Sequence, residues 1–174
     1  MSKKNIITVP DEILRKVSTP IEDVGKNEKQ LINDMFDTMY HNNGIGLAAI
    51  QVGIPKRIIV LDVSKEKDKK NPVCFINPKI TKVSDETSVY EEGCLSLPET
   101  FIEIERPKMC WIDYIDISGK KKNIECDDLL STCIQHEINH LDGKLIIDFL
   151  SKLKRDLIVK KLSKNKNNPD RVIV

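Results

Sequence analysis

The sequence predicts an α+β fold in which a β-rich, antiparallel middle is flanked by helices. Three observations predict it. Apolar residues recur at helical spacing soon after residue 27, again from 127 and again from 151. Between residues 57 and 126, short runs rich in β-branched and aromatic residues alternate with turn residues. No internal repeat and no Gly/Ser-rich linker divides the 174 residues, so a single domain, 1–174, is expected, with about 164–174 as a frayed tail.

Residues 1–25 read as extended or turn-like, punctuated by Pro10 and Pro20, with one short helical turn at 11–17. In the first helix Asn27 is placed to cap and Gln30 stands at the capping-box position. Leu31, Ile32, Met35, Phe36 and Met39 then repeat at helical spacing until Asn42-Asn43-Gly44 stops the helix. The next stretch, Gly44-Ile45-Gly46-Leu47-Ala48-Ala49-Ile50-Gln51, has the G-x-G-x-x-A spacing of a dinucleotide loop in the wrong place. Such a loop follows a strand and opens a helix, whereas this one follows a helix and leads to an aliphatic strand at 57–63. Its missing side chains suit the close approach of a ligand or another backbone.

The lysine-rich run 64–71 reads as a solvated hairpin tip or loop. Strands follow at 73–83, 88–91, 101–105 and 109–117, then the turn Ser118-Gly119-Lys120 and a strand at 123–126. A helix spans 127–142 and stops at Gly143. The last helix, 151–163, carries Leu153, Leu157, Ile158 and Leu162 on one face and Lys152, Lys154, Arg155, Lys160 and Lys161 on the other. Such a basic face is ordinarily solvated; it also suits contact with a polyanion such as ribosomal RNA.

Lys and Arg number 28 against 27 Asp and Glu, a net charge of +1, so no global field argues for DNA. The first ten residues lack a signal-peptide core, and the aliphatic run 58–61 is too short to span a membrane, so a cytoplasmic protein is expected. Five cysteines without tight spacing do not make a disulfide framework; metal binding or burial explains them better.

The chemistry centres on Gln135-His136-Glu137-Ile138-Asn139-His140, an H-E-x-x-H stretch within the 127–142 helix. At about 3.6 residues per turn, His136 and His140 share a face and reach one metal ion, with Glu137 about 100° round beside the ion's open position. A helical wheel puts Asp128, Ser131, Thr132, Gln135, Asn139 and Asp142 on one side, and Leu129, Leu130, Cys133, Ile134, Ile138 and Leu141 on the other. His136, Glu137 and His140 project on the apolar side, where unpaired polar groups are costly. A pair of hydrogen-bonded core histidines is the bland alternative.

A catalytic site of this kind needs a third protein ligand. The metzincin pattern H-E-x-x-H-x-x-G-x-x-H fails, because Ile146 stands where its last histidine belongs, and no glutamate follows His140. Asp148, Asp156 and His41 remain as candidates. Cys133 lies seven residues from His140, roughly 10 Å along the helix, too far for a shared ion. Cys74, Cys110 and Cys126 sit in strand-like surroundings and read as core. Cys94 differs: in Glu91-Glu92-Gly93-Cys94-Leu95-Ser96-Leu97-Pro98 a preceding glycine relaxes the backbone and a following proline ends the segment, as for a ligand presented at a strand end.

Three stretches together resemble the motifs of the peptide deformylase family: Gly44 to Gln51, Glu92-Gly93-Cys94-Leu95-Ser96, and Gln135 to Gly143, in matching order over nearly the whole chain. The resemblance implies antiparallel sheets surrounding the metal-binding helix, with Cys94, His136 and His140 as ligands. The implied substrate is the N-formyl group on the initiator methionine of newly made bacterial proteins, released as formate. Glu137 would take a proton from metal-activated water and pass it to the leaving amine. Gln51 and the Leu95 N–H would help hold the oxyanion, and Ile45, Gly46, Glu92 and Gly93 would contact the peptide. The family implies Fe(II) as the native ion, with zinc, nickel or cobalt able to substitute.

Two departures stand out. The family's third motif usually reads H-E-x-D-H, whereas Asn139 precedes His140 here, which affects a carboxylate link toward Arg106. Some relatives also carry a basic, substrate-holding residue after the cysteine, where this chain has Glu99-Thr100-Phe101. Two other readings compete: a metallopeptidase using Asp148 or Asp156 in place of Cys94, and a non-catalytic protein with a structural metal and a ribosome-docking terminal helix.

Overall fold

Along the central strands, successive side chains are buried on opposite faces, which places a helix on each side of one sheet. The computed structural model describes residues 3–64 and 70–166, apart from the side chains of 165 and 166. Within them a five-stranded antiparallel sheet has the order β1-β2-β3-β6-β7, with β1 Gly46–Ala48, β2 Ile58–Leu61, β3 Val73–Val83, β6 Met109–Ile115 and β7 Lys121–Asp127. A second, two-stranded sheet pairs β4 Thr87–Cys94 with β5 Leu97–Pro107. Strands 4 and 5 run longer than the sequence predicts. Pro98 does not end the segment: the chain turns at Leu95–Ser96, and Pro98 lies in β5, a strand with only one hydrogen-bonded neighbour, where proline is tolerated.

Leu47, Ile58, Val60 and Ile76 face α1 (Lys26–His41), packing against Ile32, Met35 and Met39. Their neighbours Ala48, Ile59, Leu61 and Phe75 face α2 (Asp128–Leu141), against Ile134, Ile138 and Leu141. Period two in the strands and period 3.6 in the helices thus meet in two apolar layers. A third cluster gathers Leu14, Leu97, Ile102, Ile104, Leu145, Ile146, Ile147 and Leu162 beneath the smaller sheet, with α3 (Lys152–Lys166) against it.

Several expectations shift. Helix α1 starts earlier than the Asn27 cap implies: Gly25 is the N-cap, and the Glu28 carboxylate accepts its N–H at 3.1 Å while pairing with Lys56 at 2.8 Å. The expected turn at 11–17 is a 3₁₀ turn, Glu12–Arg15. The wheel's polar side of α2 is not solvated, since Ser131, Thr132 and Gln135 are buried; Gln135 Nε2 donates to the Pro107 carbonyl at 2.9 Å. Leu129, expected inside, is exposed. On α3, Leu162 is buried but Leu153 and Leu157 stay 72% and 60% exposed, so only part of the expected apolar face is covered. Much of the predicted 64–71 loop and of the terminal tail lies outside the described residues.

Candidate active site

Three elements converge beneath the β4–β5 turn. Strand β4 delivers Cys94 at its last residue, α2 delivers His136, Glu137 and His140, and a 3₁₀ turn, Ala49–Val52, delivers Gln51. The Cys94 Sγ lies 3.2 Å from His140 Nε2. Donor atoms of Cys94, His136 and His140 all fall within 4.8 Å of one another, close to the span that two bonds of about 2.0 to 2.3 Å can bridge. One thiolate and two imidazoles are a donor set for a borderline divalent ion.

Each donor is held from behind. His136 Nδ1 lies 2.8 Å from Glu92 Oε2, which turns its Nε2 toward the cluster. Glu92 is fixed in turn by Arg106, whose Nε and Nη2 both donate to the carboxylate, the latter at 3.0 Å. Arg106 Nη1 donates to Asn139 Oδ1 at 2.9 Å, so the amide at this position is itself linked to Arg106. Burial alone would raise the Glu92 carboxyl, but the His136 and Arg106 hydrogen bonds outweigh it and hold the group below its ordinary range. The imidazoles diverge. Burial opposes the His136 cation, yet Cys94 and Glu92 raise it to about 10, whereas burial and the neighbouring His136 and Arg106 charges push His140 well down.

Glu137 has the opposite environment. It is 5% exposed, and its Oε2 has no hydrogen-bond partner among the described residues. Burial, reinforced by the Glu92 charge, lifts its pKa to about 7 against the pull of His136 and Arg106. The space it occupies exists because residue 46 is glycine: a Cβ there would sit 2.5 Å from Glu137 Oε1 and 2.9 Å from a Leu61 methyl. Gln51 is held by its Oε1, which accepts from the Ala48 N–H at 2.8 Å. Its Nε2 donates to Ser96 Oγ at 3.1 Å and lies 3.7 Å from the Cys94 sulfur.

Gln51, Cys94, His136 and Glu137 line a cavity of about 960 Å³ that also takes in Ile45, Gly46, Gly93 and Leu95. Glu92 borders it, but both its oxygens are engaged by Arg106 and His136, so the carboxylate is placed to steady His136 instead of receiving a peptide. The other candidate ligands lie elsewhere. Asp148 pairs with Arg15 and Arg155, His41 Nδ1 lies 3.2 Å from Lys3 Nζ, and Asp156 is exposed on α3. Cys74, Cys110, Cys126 and Cys133 are buried in the core clusters.

The description polypeptide deformylase belongs to a family model that matches residues 3–156. The chain belongs to that family. A peptide deformylase of Pelagibacter ubique is 58% identical over 100% of both chains, and one of Rhizobium meliloti is 52% identical over 94% of each. The crystal structure of peptide deformylase from Ehrlichia chaffeensis shares 41% identity at a TM-score of 0.91, covering 95% of this chain and 98% of that one. A second structure of that enzyme, in complex with actinonin, matches at 42% identity and a TM-score of 0.91, covering 95% and 99%. The chain therefore has the peptide deformylase fold, with antiparallel sheets and three α-helices. Sequence reasoning about deformylase motifs passed over Ser96 and the anchoring role of Glu92. A signal was present for Arg106: Ile102, Ile104 and Arg106 share the period-two buried face of β5, and a buried arginine requires a carboxylate.

Proposed function

We infer that Cys94, His136 and His140 hold one divalent ion, and that at this centre the chain carries out its family's hydrolysis, removal of the N-formyl group from the initiator methionine of nascent proteins with release of formate. The observation that carries the reading is the three-donor cluster beside a buried carboxylate without a partner. When bound, a divalent ion supplies Lewis-acid chemistry, lowering the pKa of water and polarising a carbonyl. Glu137 holds and moves the proton: its buried carboxylate, with Oε2 unpartnered among the described residues, takes one from the attacking water and returns it to the leaving amine. The Gln51 side-chain amide, fixed by Ala48 and Ser96, and the Leu95 N–H stabilise the developing oxyanion. Glu92 and Arg106 orient His136, and Ile45, Gly46 and Gly93 hold the peptide backbone along the cavity.

By resemblance to the family the native ion is Fe(II), and Zn, Ni or Co fits the same donors. Residues 1–174 act as one catalytic domain in the cytoplasm. Among the described residues, no helix is long and apolar enough to cross a membrane. The basic side of α3, with Lys152, Lys154, Lys160 and Lys161, is the face that would meet the ribosome.

Replacing Cys94 tests the ligand set. Cys94→Ala, purified anaerobically, loses both bound metal and formate release from a formyl-methionyl peptide. A variant that kept its metal would favour a peptidase using Asp148 or Asp156 and overturn this reading.

A further inference from the structure

The guanidinium of Arg106 is engaged along its edges and on a face. Its Nε and Nη2 donate to Glu92 and its Nη1 to Asn139, which uses the fork of donors in its plane. A flat face is met by the ring of Phe149, whose centroid lies 5.0 Å from Arg106 Cζ. Arg106 is 5% exposed and Phe149 is 51% exposed, so the ring joins a buried cation to the surface.

Core packing does not explain an aromatic at this position. Phe149 closes the 3₁₀ turn Ile146–Phe149, in which Ile146 and Ile147 enter the cluster beneath the smaller sheet and Phe149 does not. The turn is fixed without the ring: the Asp148 carboxylate accepts the Leu145 N–H at 2.8 Å and pairs with Arg15 and, at 3.6 Å, with Arg155. A turn so held aims its last side chain, and that side chain covers Arg106.

We propose that Phe149 is a positioning residue for the metal centre: by covering Arg106 it strengthens the Arg106–Glu92 pair that orients His136, and so raises the affinity of the three donors for their ion. The inference rests on the ligand set of Cys94, His136 and His140 inferred above. Two effects act through the ring. Its negative π face attracts the cation. Its bulk also keeps water from the pair, and a lower local dielectric strengthens the attraction of guanidinium for carboxylate. With Arg106 held, Glu92 stays 2.8 Å from His136 Nδ1 and keeps Nε2 turned to the cluster.

Chelator-stripped protein is titrated with Co(II) against a chromophoric competitor, for the parent and for Phe149→Tyr, Phe149→Leu and Phe149→Ala. Loss of a direct partner of a metal-binding histidine weakens affinity about 10- to 100-fold; Phe149 acts further out, so Phe149→Ala should weaken Co(II) binding about tenfold. Phe149→Tyr keeps the π face and should stay within about twofold of the parent, whereas Phe149→Leu, apolar without that face, should weaken binding about fivefold. In Glu92→Gln, where the charge pairing with Arg106 is already lost, adding Phe149→Ala should cost less than about twofold more. Leu153→Ala, on α3 at 72% exposure, should leave the affinity unchanged. Parental affinity in Phe149→Ala or Phe149→Leu, or an undiminished Phe149→Ala effect in the Glu92→Gln background, would overturn the inference while leaving the ligand set intact. A parent that bound no Co(II) would overturn both.

Discussion

Two glutamates border the same histidine and could hardly be treated more differently. Glu92 and Glu137 are equally hidden, at 6% and 5% exposure. Glu92 accepts from Arg106 twice and lies against His136, and its pKa is lowered. Glu137 has an oxygen with no partner and a pKa of about 7. Burial is the first effect on both, so the difference lies in the partners supplied. A carboxylate fixed by a guanidinium holds its charge and positions a neighbour; in one without such a bond, burial outweighs the pull of nearby cations and, in the metal-free protein, leaves the proton exchangeable near neutral pH.

The strongest way to break the comparison is to neutralise Glu137. Glu137→Gln should lower formate release about 10³-fold with metal retained, as expected for loss of general acid–base catalysis. Neutralising Glu92 should act differently: Glu92→Gln strands the Arg106 charge, weakens metal affinity about 10- to 100-fold and lowers the unfolding midpoint in urea. Gly46→Ala tests the space instead of the charge. Its methyl must displace Glu137 Oε1 or the Leu61 side chain, so kcat should fall about 100-fold with little change in metal content.

pH sharpens the contrast through sign. In chelator-treated protein, Glu137 binds its proton more tightly folded than unfolded, so its contribution makes stability fall as pH rises from about 4.5 to about 7. Glu92, with a lowered pKa, contributes stability above the ordinary carboxylate range and loses it on acidification. Urea titrations across this range should show the Glu137 slope vanish in Glu137→Gln. The smallest effect is expected from Asn139→Asp. Arg106 already bonds the amide at 2.9 Å, so a carboxylate strengthens an existing link and should change kcat/KM less than about threefold.

The cluster of donor residues was more legible in the sequence than the packing around it. His136, Glu137, His140 and Cys94 announce themselves because few functions need those residue types at that spacing. The helix start at Gly25 was missed because two capping registers overlap, and the long-range Lys56–Glu28 pair favours the earlier one. The buried polar side of α2 was missed because a wheel shows which residues share a face but not what packs on it; the Pro107 carbonyl that satisfies Gln135 comes from another strand. On α3, the exposure of Leu153 and Leu157 follows from a contact area that ends near Ile158 and Leu162, which periodicity cannot show. Gly46 was read as room for a ligand or a backbone; the group that fills that room is Glu137.

The division of labour between the two glutamates is tested most directly by formate release measured against added Fe(II), under anaerobic conditions, for the parent, Glu137→Gln and Glu92→Gln. Glu137→Gln should saturate at the parent's metal concentration with a plateau about 10³-fold lower, while Glu92→Gln should need about 10- to 100-fold more metal and then approach the parent's plateau. A near-parental plateau for Glu137→Gln, or a collapsed plateau at unchanged metal affinity for Glu92→Gln, would contradict the assignment of proton transfer to one and positioning to the other.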